Sequence, residues 1–327
     1  MQLGQKAGLK PAQNQLRDAF GEALLDVCRS NPQVVVLDGD LGNSTRTNHV
    51  RKEFPHRFFN IGIAESNLVS MGAGFASCGF VPFITSFPSF LLCNAYDQIR
   101  LSISIPGLNA KFAGSHGGIS TNREGPQPMS IEDFALVGGL PPFVILVPSD
   151  PASMRKAVQA AVEHVGPVYI RSSRTAFPHI YPEGDCPFEI GRANVVRQGD
   201  DMSIIACGMM VSVALDAAAI LAADGVVARV LDMHTVKPLD RAAIAAAARE
   251  TGAIVTAEEH LIRGGLGSNV ARVVTETCPV PIRCVGFDDT YAESGTVEEI
   301  MEKYGLTADD VAASAREAMD AKRGGNR

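Results

Sequence analysis

Runs of valine, isoleucine and leucine alternate with stretches whose apolar residues recur every three or four positions, and this rhythm organises nearly the whole chain. In QNQLRDAFGEALLDVCRS, Leu16, Phe20, Leu24 and Val27 share one helical face. The unbroken VVVLDG at 34–39 then reads as a strand covered on both sides. The same two signatures predict helices over 65–79, 90–104 and 150–164 and strands at 81–85, 111–114, 143–148 and 167–172. A long polar loop, SHGGISTNREGPQPMS, follows the strand KFAG at 111–114. Strands alternating with helices imply parallel sheets with helices on both faces, an α/β fold.

Residues 175–201 break the rhythm: TAFPHIYPEGDCPFEIGRANVVRQGDD has three prolines and no helical period, and reads as a linker. Alternation resumes with strands at 202–207, 226–233, 252–259 and 281–287 and helices over 211–223, 239–249 and from about 266. The expected organisation is therefore a first α/β domain over 1–175, a linker over 176–201 and a smaller α/β domain over 202–327. The closing AKRGGNR reads as a frayed polar tail.

At 327 residues and 46% apolar, the chain can bury two domain-sized cores, and its lack of tryptophan counts against an all-β sandwich. A net charge of −7 with no dense basic block points to neither nucleic acid nor anionic lipid as a partner. Seven cysteines without a Cys-x-x-Cys pair read as reduced thiols rather than a disulfide or zinc framework. The polar start lacks a signal-peptide core, and no apolar run reaches membrane-spanning length. The expectation is a soluble, cytoplasmic protein.

Two glycine clusters, GAGFAS at 72–77 and GGLGSN at 264–269, do not make a dinucleotide fingerprint. The first lies inside a helical pattern and the second follows HLIR rather than a hydrophobic strand. No Walker-type phosphate loop is present. A lone acid, Glu65, stands in NIGIAESN among Ile61, Ile63, Ala64 and Leu68. By itself a first-turn glutamate is explained by the helix dipole, worth a few tenths of a kcal/mol.

The ordered segments RFFNIGIAESNLVSMGAG, ITSFPSFLLCNAYDQIR, PVYIRSSR and VLDMHTVKPLD resemble the C-terminal half of transketolase. The likeness runs from about Arg17 to about Gly286 and is greatest to split transketolases, where this half is a separate subunit. It extends more distantly to deoxyxylulose-phosphate synthase and the β subunit of 2-oxoacid dehydrogenases. The resemblance implies a pyrimidine-type thiamin-diphosphate-binding domain followed by a transketolase C-terminal domain. It implies that Glu65, within an apolar pocket that includes Ile63, hydrogen-bonds N1′ of the thiamin aminopyrimidine and so makes the 4′-nitrogen basic. Phe87 and Phe90 would wall the ring, with Phe87 the first choice, and Asp40 would lie near the cofactor and the subunit interface. Tyr96 is expected to pack or to serve the dimer interface.

On the substrate side, Arg17, Ser44 and Arg174 match the family's phosphate ligands, and a guanidinium suits that task. His116 matches a histidine lining the substrate channel, and Glu124 stands where an aspartate contacts a substrate hydroxyl. Pro128 replaces a second active-site histidine and Arg123 replaces an acid, which implies a non-standard donor or acceptor. The family's magnesium-binding GDG…Asn segment is absent, since LDGDLGN has another order. The resemblance therefore implies no metal ligands here and Mg²⁺ held mainly by a partner subunit of roughly 270–300 residues that carries the diphosphate-binding domain. An α₂β₂ heterotetramer follows from the preference for two-fold symmetry. The implied reaction transfers a two-carbon ketol unit from a ketose, phosphorylated by this reading, to an aldehyde. The alternatives are a decarboxylating acyl or acyloin transfer, as in deoxyxylulose-phosphate synthase or a 2-oxoacid dehydrogenase β subunit, and a silent scaffold. An intact Glu65 counts against the scaffold.

Overall fold

Period-two alternation within the strands decides which helices cover which face. In the computed structural model, which describes residues 3–11, 15–182 and 184–324, strand β1 (Val34–Asp38) is buried throughout. Val34 and Val36 turn to Leu16, Phe20 and Leu24 of the helix Leu16–Ser30 and to Met154 and Val158 of the helix Pro151–Glu163. Val35 and Leu37 turn the other way, to Leu68 and Val69 of the helix Glu65–Ser77 and to Leu91 and Leu92 of the helix Pro88–Asn94. The sheet is thus covered on both faces, as a parallel sheet must be.

The other strands of this sheet are β2 (Phe58–Asn60), β3 (Val81–Ser86), β4 (Lys111–Gly114), β5 (Val144–Leu146) and β6 (Val168–Arg171). The second sheet uses β7 (Asn194–Arg197), β8 (Met202–Ala206), β9 (Ala228–Asp232), β11 (Ile254–Leu261) and β12 (Ile282–Phe287), while β10 (Thr235–Lys237) crosses to the first. The orders are β10-β5-β6-β4-β3-β1-β2 and β12-β11-β8-β9-β7. All pairings are parallel except β10 with β5 and β7 with β9. In the second sheet, Ile204 faces Met210 and Val213 of the helix Met210–Ala223, whereas Ile205 faces Ile244 and Leu266.

Several features depart from the sequence reading. The short strand β2 was not expected, because three residues are too few to show a period. The stretch read as linker contains β7, which lies at the outer edge of its sheet. The helix expected over 90–104 breaks into Pro88–Asn94, Tyr96–Gln98 and a π-helical Ile99–Ser104. Finally, 321–324 of the expected tail close the helix Ala308–Gly324, and 325–327 lie outside the described residues. No described helix is long and apolar enough to cross a membrane.

Candidate active site

Loops leaving the carboxyl ends of parallel strands converge on one edge of a sheet, so residues distant in sequence meet there. Glu65 follows β2, the 39–47 loop follows β1, Phe87 follows β3, His116 follows β4 and Arg174 follows β6. Arg17 joins them because its helix begins against the segment after β6: Leu16 N–H donates to the Thr175 carbonyl at 3.3 Å and Arg17 N–H to that of Ser173 at 3.1 Å.

Arg17, Ser44 and His116 are brought together. An Arg17 terminal nitrogen donates to the Ser44 carbonyl at 3.2 Å and lies 3.4 Å from His116 Nε2, and Arg17 Nε donates to Gln15 Oε1 at 2.7 Å. Ser44 therefore enters through its carbonyl. Ser115, which the sequence reading missed, completes the group: its hydroxyl is 2.8 Å from His116 Nδ1 and donates to the same Ser44 carbonyl at 3.4 Å. His116 adopts φ 67°, is 2% exposed, and stacks on Phe87 with ring centroids 4.2 Å apart. Burial, then the charges of Arg17, Arg174 and Arg46, pushes its pKa down to about 3, so the imidazole is neutral. Phe90, half-buried, stacks 5.7 Å from Phe87.

Arg174 and Glu124 pair with each other at 2.7 Å on a partly exposed rim, so that guanidinium is already engaged. Arg46, two residues beyond Ser44 and also missed, is bound to Asp18 at 2.6 Å. Burial and the proximity of Arg46 and Arg174 lower the Arg17 pKa, partly offset by Asp18. Three guanidinium groups against two carboxylates leave an excess of positive charge around the neutral His116.

Asp38, another residue missed, shapes the neighbouring loop. Its buried carboxylate accepts from Leu41 N–H at 2.6 Å and from the hydroxyls of Thr45, Thr47 and Thr85 at 2.8, 2.7 and 2.9 Å. Asp40 is not in the arginine group: exposed at φ 64°, it accepts from Asn60 Nδ2 at 2.7 Å beside a polar cavity of about 180 Å³. Pro128 is buried and gives its carbonyl to the Ser89 hydroxyl at 3.1 Å, next to Phe90.

Glu65 opens its helix at 7% exposure. Among the described residues no basic side chain lies within ion-pair distance of it. Ser66, beside it, donates to the Asn94 carbonyl at 3.0 Å and ties this helix to the one carrying Phe90. Of the expected apolar pocket, Leu68 is buried within this chain, whereas Ile63 is 84% exposed on its surface. Gly62 at φ 80° turns the segment outward there. Several buried hydroxyls along the same edge, Ser86, Thr121 and Ser172, have no partner among the described residues. A withdrawn acid, an aromatic wall and unused hydroxyls suit a flat ring with polar edges. A metal is not suited in the same way, since no group of three or more His, Cys, Asp or Glu among the described residues could hold one.

Comparison with known proteins adds to this geometry. Residues 12–179 match the profile described as transketolase, pyrimidine binding domain, and residues 191–311 that of transketolase, C-terminal domain. The chain is 38% identical to the 6-deoxy-6-sulfo-D-fructose transketolase subunit SqwH of Clostridium sp. (strain MSTE9), covering 98% of this chain and 99% of that one. It is 35% identical to one of the subunits of the apulose-4-phosphate transketolase of Phocaeicola vulgatus, covering 92% and 96% respectively. A solved structure described as a split gene transketolase, inactive beta4 tetramer, is 44% identical and superposes with a TM-score of 0.86, covering 95% of this chain and 99% of that one.

Proposed function

The chain belongs to the transketolase family, and on that premise we propose that it is the β-type subunit of a split, thiamin-diphosphate-dependent transketolase. In this reading it moves a two-carbon ketol unit from a ketose with an anionic terminus to an aldehyde. Both full-length relatives above carry acidic sugars in their names, one a sulfonate and one a phosphate. The observation that carries the reading is the convergence of Arg17, Ser44, Ser115 and His116 beside the Phe87 ring.

Thiamin diphosphate, when bound, supplies the ring carbon that attacks the ketose carbonyl and the electron sink that holds the cleaved fragment. Glu65 offers a desolvated carboxylate to the pyrimidine N1′, where water would otherwise compete for the hydrogen bond. Phe87 and Phe90 orient the ring. The neutral His116 donates to or accepts from a sugar hydroxyl, with the other ring nitrogen held by Ser115. Arg17 draws in the phosphate or sulfonate by charge and forked donors, Arg46 reinforces the field, and Arg174, released from Glu124, provides a second fork. Ser44 and Glu124 are the polar contacts on either side, and Asp40 lies at the subunit edge.

Among the described residues no group of three or more His, Cys, Asp or Glu could hold the magnesium ion that binds the diphosphate, so in this reading an α-type partner would supply its donors. The surface beside Glu65 suits such an interface, because Ile63, Met71, Leu101 and Ile105 are exposed there. The inactive β4 assembly of the split-gene neighbour supports the view that β-type chains alone do not turn over. We infer an α₂β₂ enzyme, and a cytoplasmic one from the free cysteines.

The test is reconstitution with an α-type subunit that carries the diphosphate-binding domain, thiamin diphosphate and Mg²⁺, followed by turnover on a panel of ketose phosphates and sulfonates. Ketol transfer by the complex and none by the lone chain is expected. Glu65→Ala should abolish turnover with the circular dichroism spectrum unchanged. Turnover by the lone chain, or by the Glu65→Ala complex, would overturn the reading.

A further inference from the structure

The loop that presents His116 has a backbone that needs holding. His116 and Gly118 both lie in the left-handed region, at φ 67° and 62°, and for a non-glycine residue that conformation costs roughly 1–2 kcal/mol. Three of its backbone N–H groups are held by main-chain carbonyls: Ser115 N–H by that of Ser86, Gly117 N–H by that of Ser172 and Gly118 N–H by that of Ser130, at 3.0, 2.9 and 3.0 Å. A fourth backbone N–H is held by a side chain from the second sheet. Ile119 N–H donates to Oε2 of Glu259, on β11, at 3.2 Å, and a Cβ at Gly118 would overlap that carboxylate.

Glu259 also acts on one of the other restraints. The Ser130 carbonyl that receives Gly118 N–H also accepts from Arg171 at 2.7 Å, and Arg171 lies 3.8 Å from Glu259 Oε1 and 3.3 Å from its carbonyl. Asp133 completes the cluster, 3.0 Å from Arg171 Nε. Glu259 and Arg171 are both 3% exposed and Asp133 is fully buried. Burying charges this deeply costs several kcal/mol each, repaid only where pairing and hydrogen bonds are good, so these groups are not explained by apolar packing.

We propose that Glu259 is a positioning residue for His116: the second domain's carboxylate sets the loop that aims the imidazole into the active site. This rests on the transketolase reading above only for the catalytic consequence, since the effect on His116 itself does not depend on the reaction. Small displacements of an orienting group lower rates by up to about a hundredfold, so the effect should be measurable.

The test uses the full chain labelled with ¹⁵N-histidine, and the same variants in complex with the partner. Among the seven histidines, His116 is identified from His116→Gln. Glu259→Ala should shift the His116 ring nitrogens and lower kcat/KM for D-fructose 6-phosphate by about tenfold to a hundredfold. Glu259→Gln keeps an acceptor for Ile119 N–H but not the charge facing Arg171, and should show smaller changes in both readings. Asp232→Asn is the control, a fully buried acid held by Ser149 and Tyr181 at 2.5 and 2.7 Å; it should lower Tm without moving His116. If Glu259→Ala does not fold, Glu259→Gln decides alone. Parent-like His116 signals and parent kcat/KM in a folded Glu259 variant would overturn the proposal. If the complex performs no ketol transfer, the nitrogen spectra still decide this inference while the reaction reading fails separately.

Discussion

Arg171→Met removes the one cation in a buried cluster of acids, and its cost follows from the surroundings. The guanidinium lies 3.0 Å from Asp133 and 3.8 Å from Glu259, donates to the Ser130 and Glu259 carbonyls, and sits 4.5 Å over the Phe134 ring. Methionine keeps most of the packing, but the acids lose their compensation. Breaking a buried pair on one side costs about 3–5 kcal/mol, a large part of a whole domain's stability of about 5–15 kcal/mol. The loss should depend on pH. Burial pushes the Glu259 pKa up to about 7 even with Arg171 opposing, and without Arg171 it rises further. A carboxyl whose folded pKa is raised contributes stability that is full below its unfolded pKa and is lost as pH rises through the folded one. The Arg171→Met penalty should therefore be smaller at about pH 5.5 than at about pH 8, each unit of further shift being worth about 1.4 kcal/mol. Urea denaturation of the full chain at the two pH values, with m compared, measures it. Adding Glu259→Gln should recover about 1–2 kcal/mol at the higher pH. A penalty below about 1 kcal/mol, or one equal at both pH values, would show that the cluster is not held by charge compensation.

Three further outcomes concern the site. His116, held neutral by burial and by Arg17, Arg174 and Arg46, should contribute no limb near about pH 6.5 to the pH–rate profile of the complex; a limb there that vanishes in His116→Gln would contradict the assignment. Its lowered pKa also means that the folded state gives up stability as pH falls from about 6.5 toward 3, visible as a flatter acid limb of Tm in His116→Gln. Arg17→Ala should raise KM for a ketose phosphate by about tenfold or more, in line with a charge-assisted hydrogen bond of about 1.5–3 kcal/mol. An uncharged ketose should be almost unaffected, and an equal loss on both would mean that Arg17 only supports the Ser44 loop.

Legibility in the sequence followed the range of the interaction. KFAG at 111–114 and the helix beginning at Leu266 lie where their patterns predicted, because local periodicity suffices for such elements. HTVKP, by contrast, carries a strand that joins the first sheet, since its pairing with β5 depends on how two domains dock. Glu258 and Glu259 end the strand read at 252–259 and His260 follows it, yet all three are buried. Nothing nearby in sequence announces Arg171, Asp133 or the helix N-terminus whose Leu266 and Gly267 N–H groups bind Glu258 at 2.6 and 2.7 Å. For Ile63, apolar character suggested a pocket, whereas the turn at Gly62 leaves the side chain outside.

By itself the sequence determined the α/β class and the alternation of strands and helices, because both depend on contacts a few residues apart, while the motifs around Glu65, Phe87 and Arg174 were legible through family resemblance. Only the tertiary structure decided that Arg17 meets His116 across 99 positions, and that Glu259 grips the His116 loop from a chain segment 140 residues beyond Ile119. Those meetings depend on how strand ends converge and how two sheets dock, relations that no local pattern along the chain encodes.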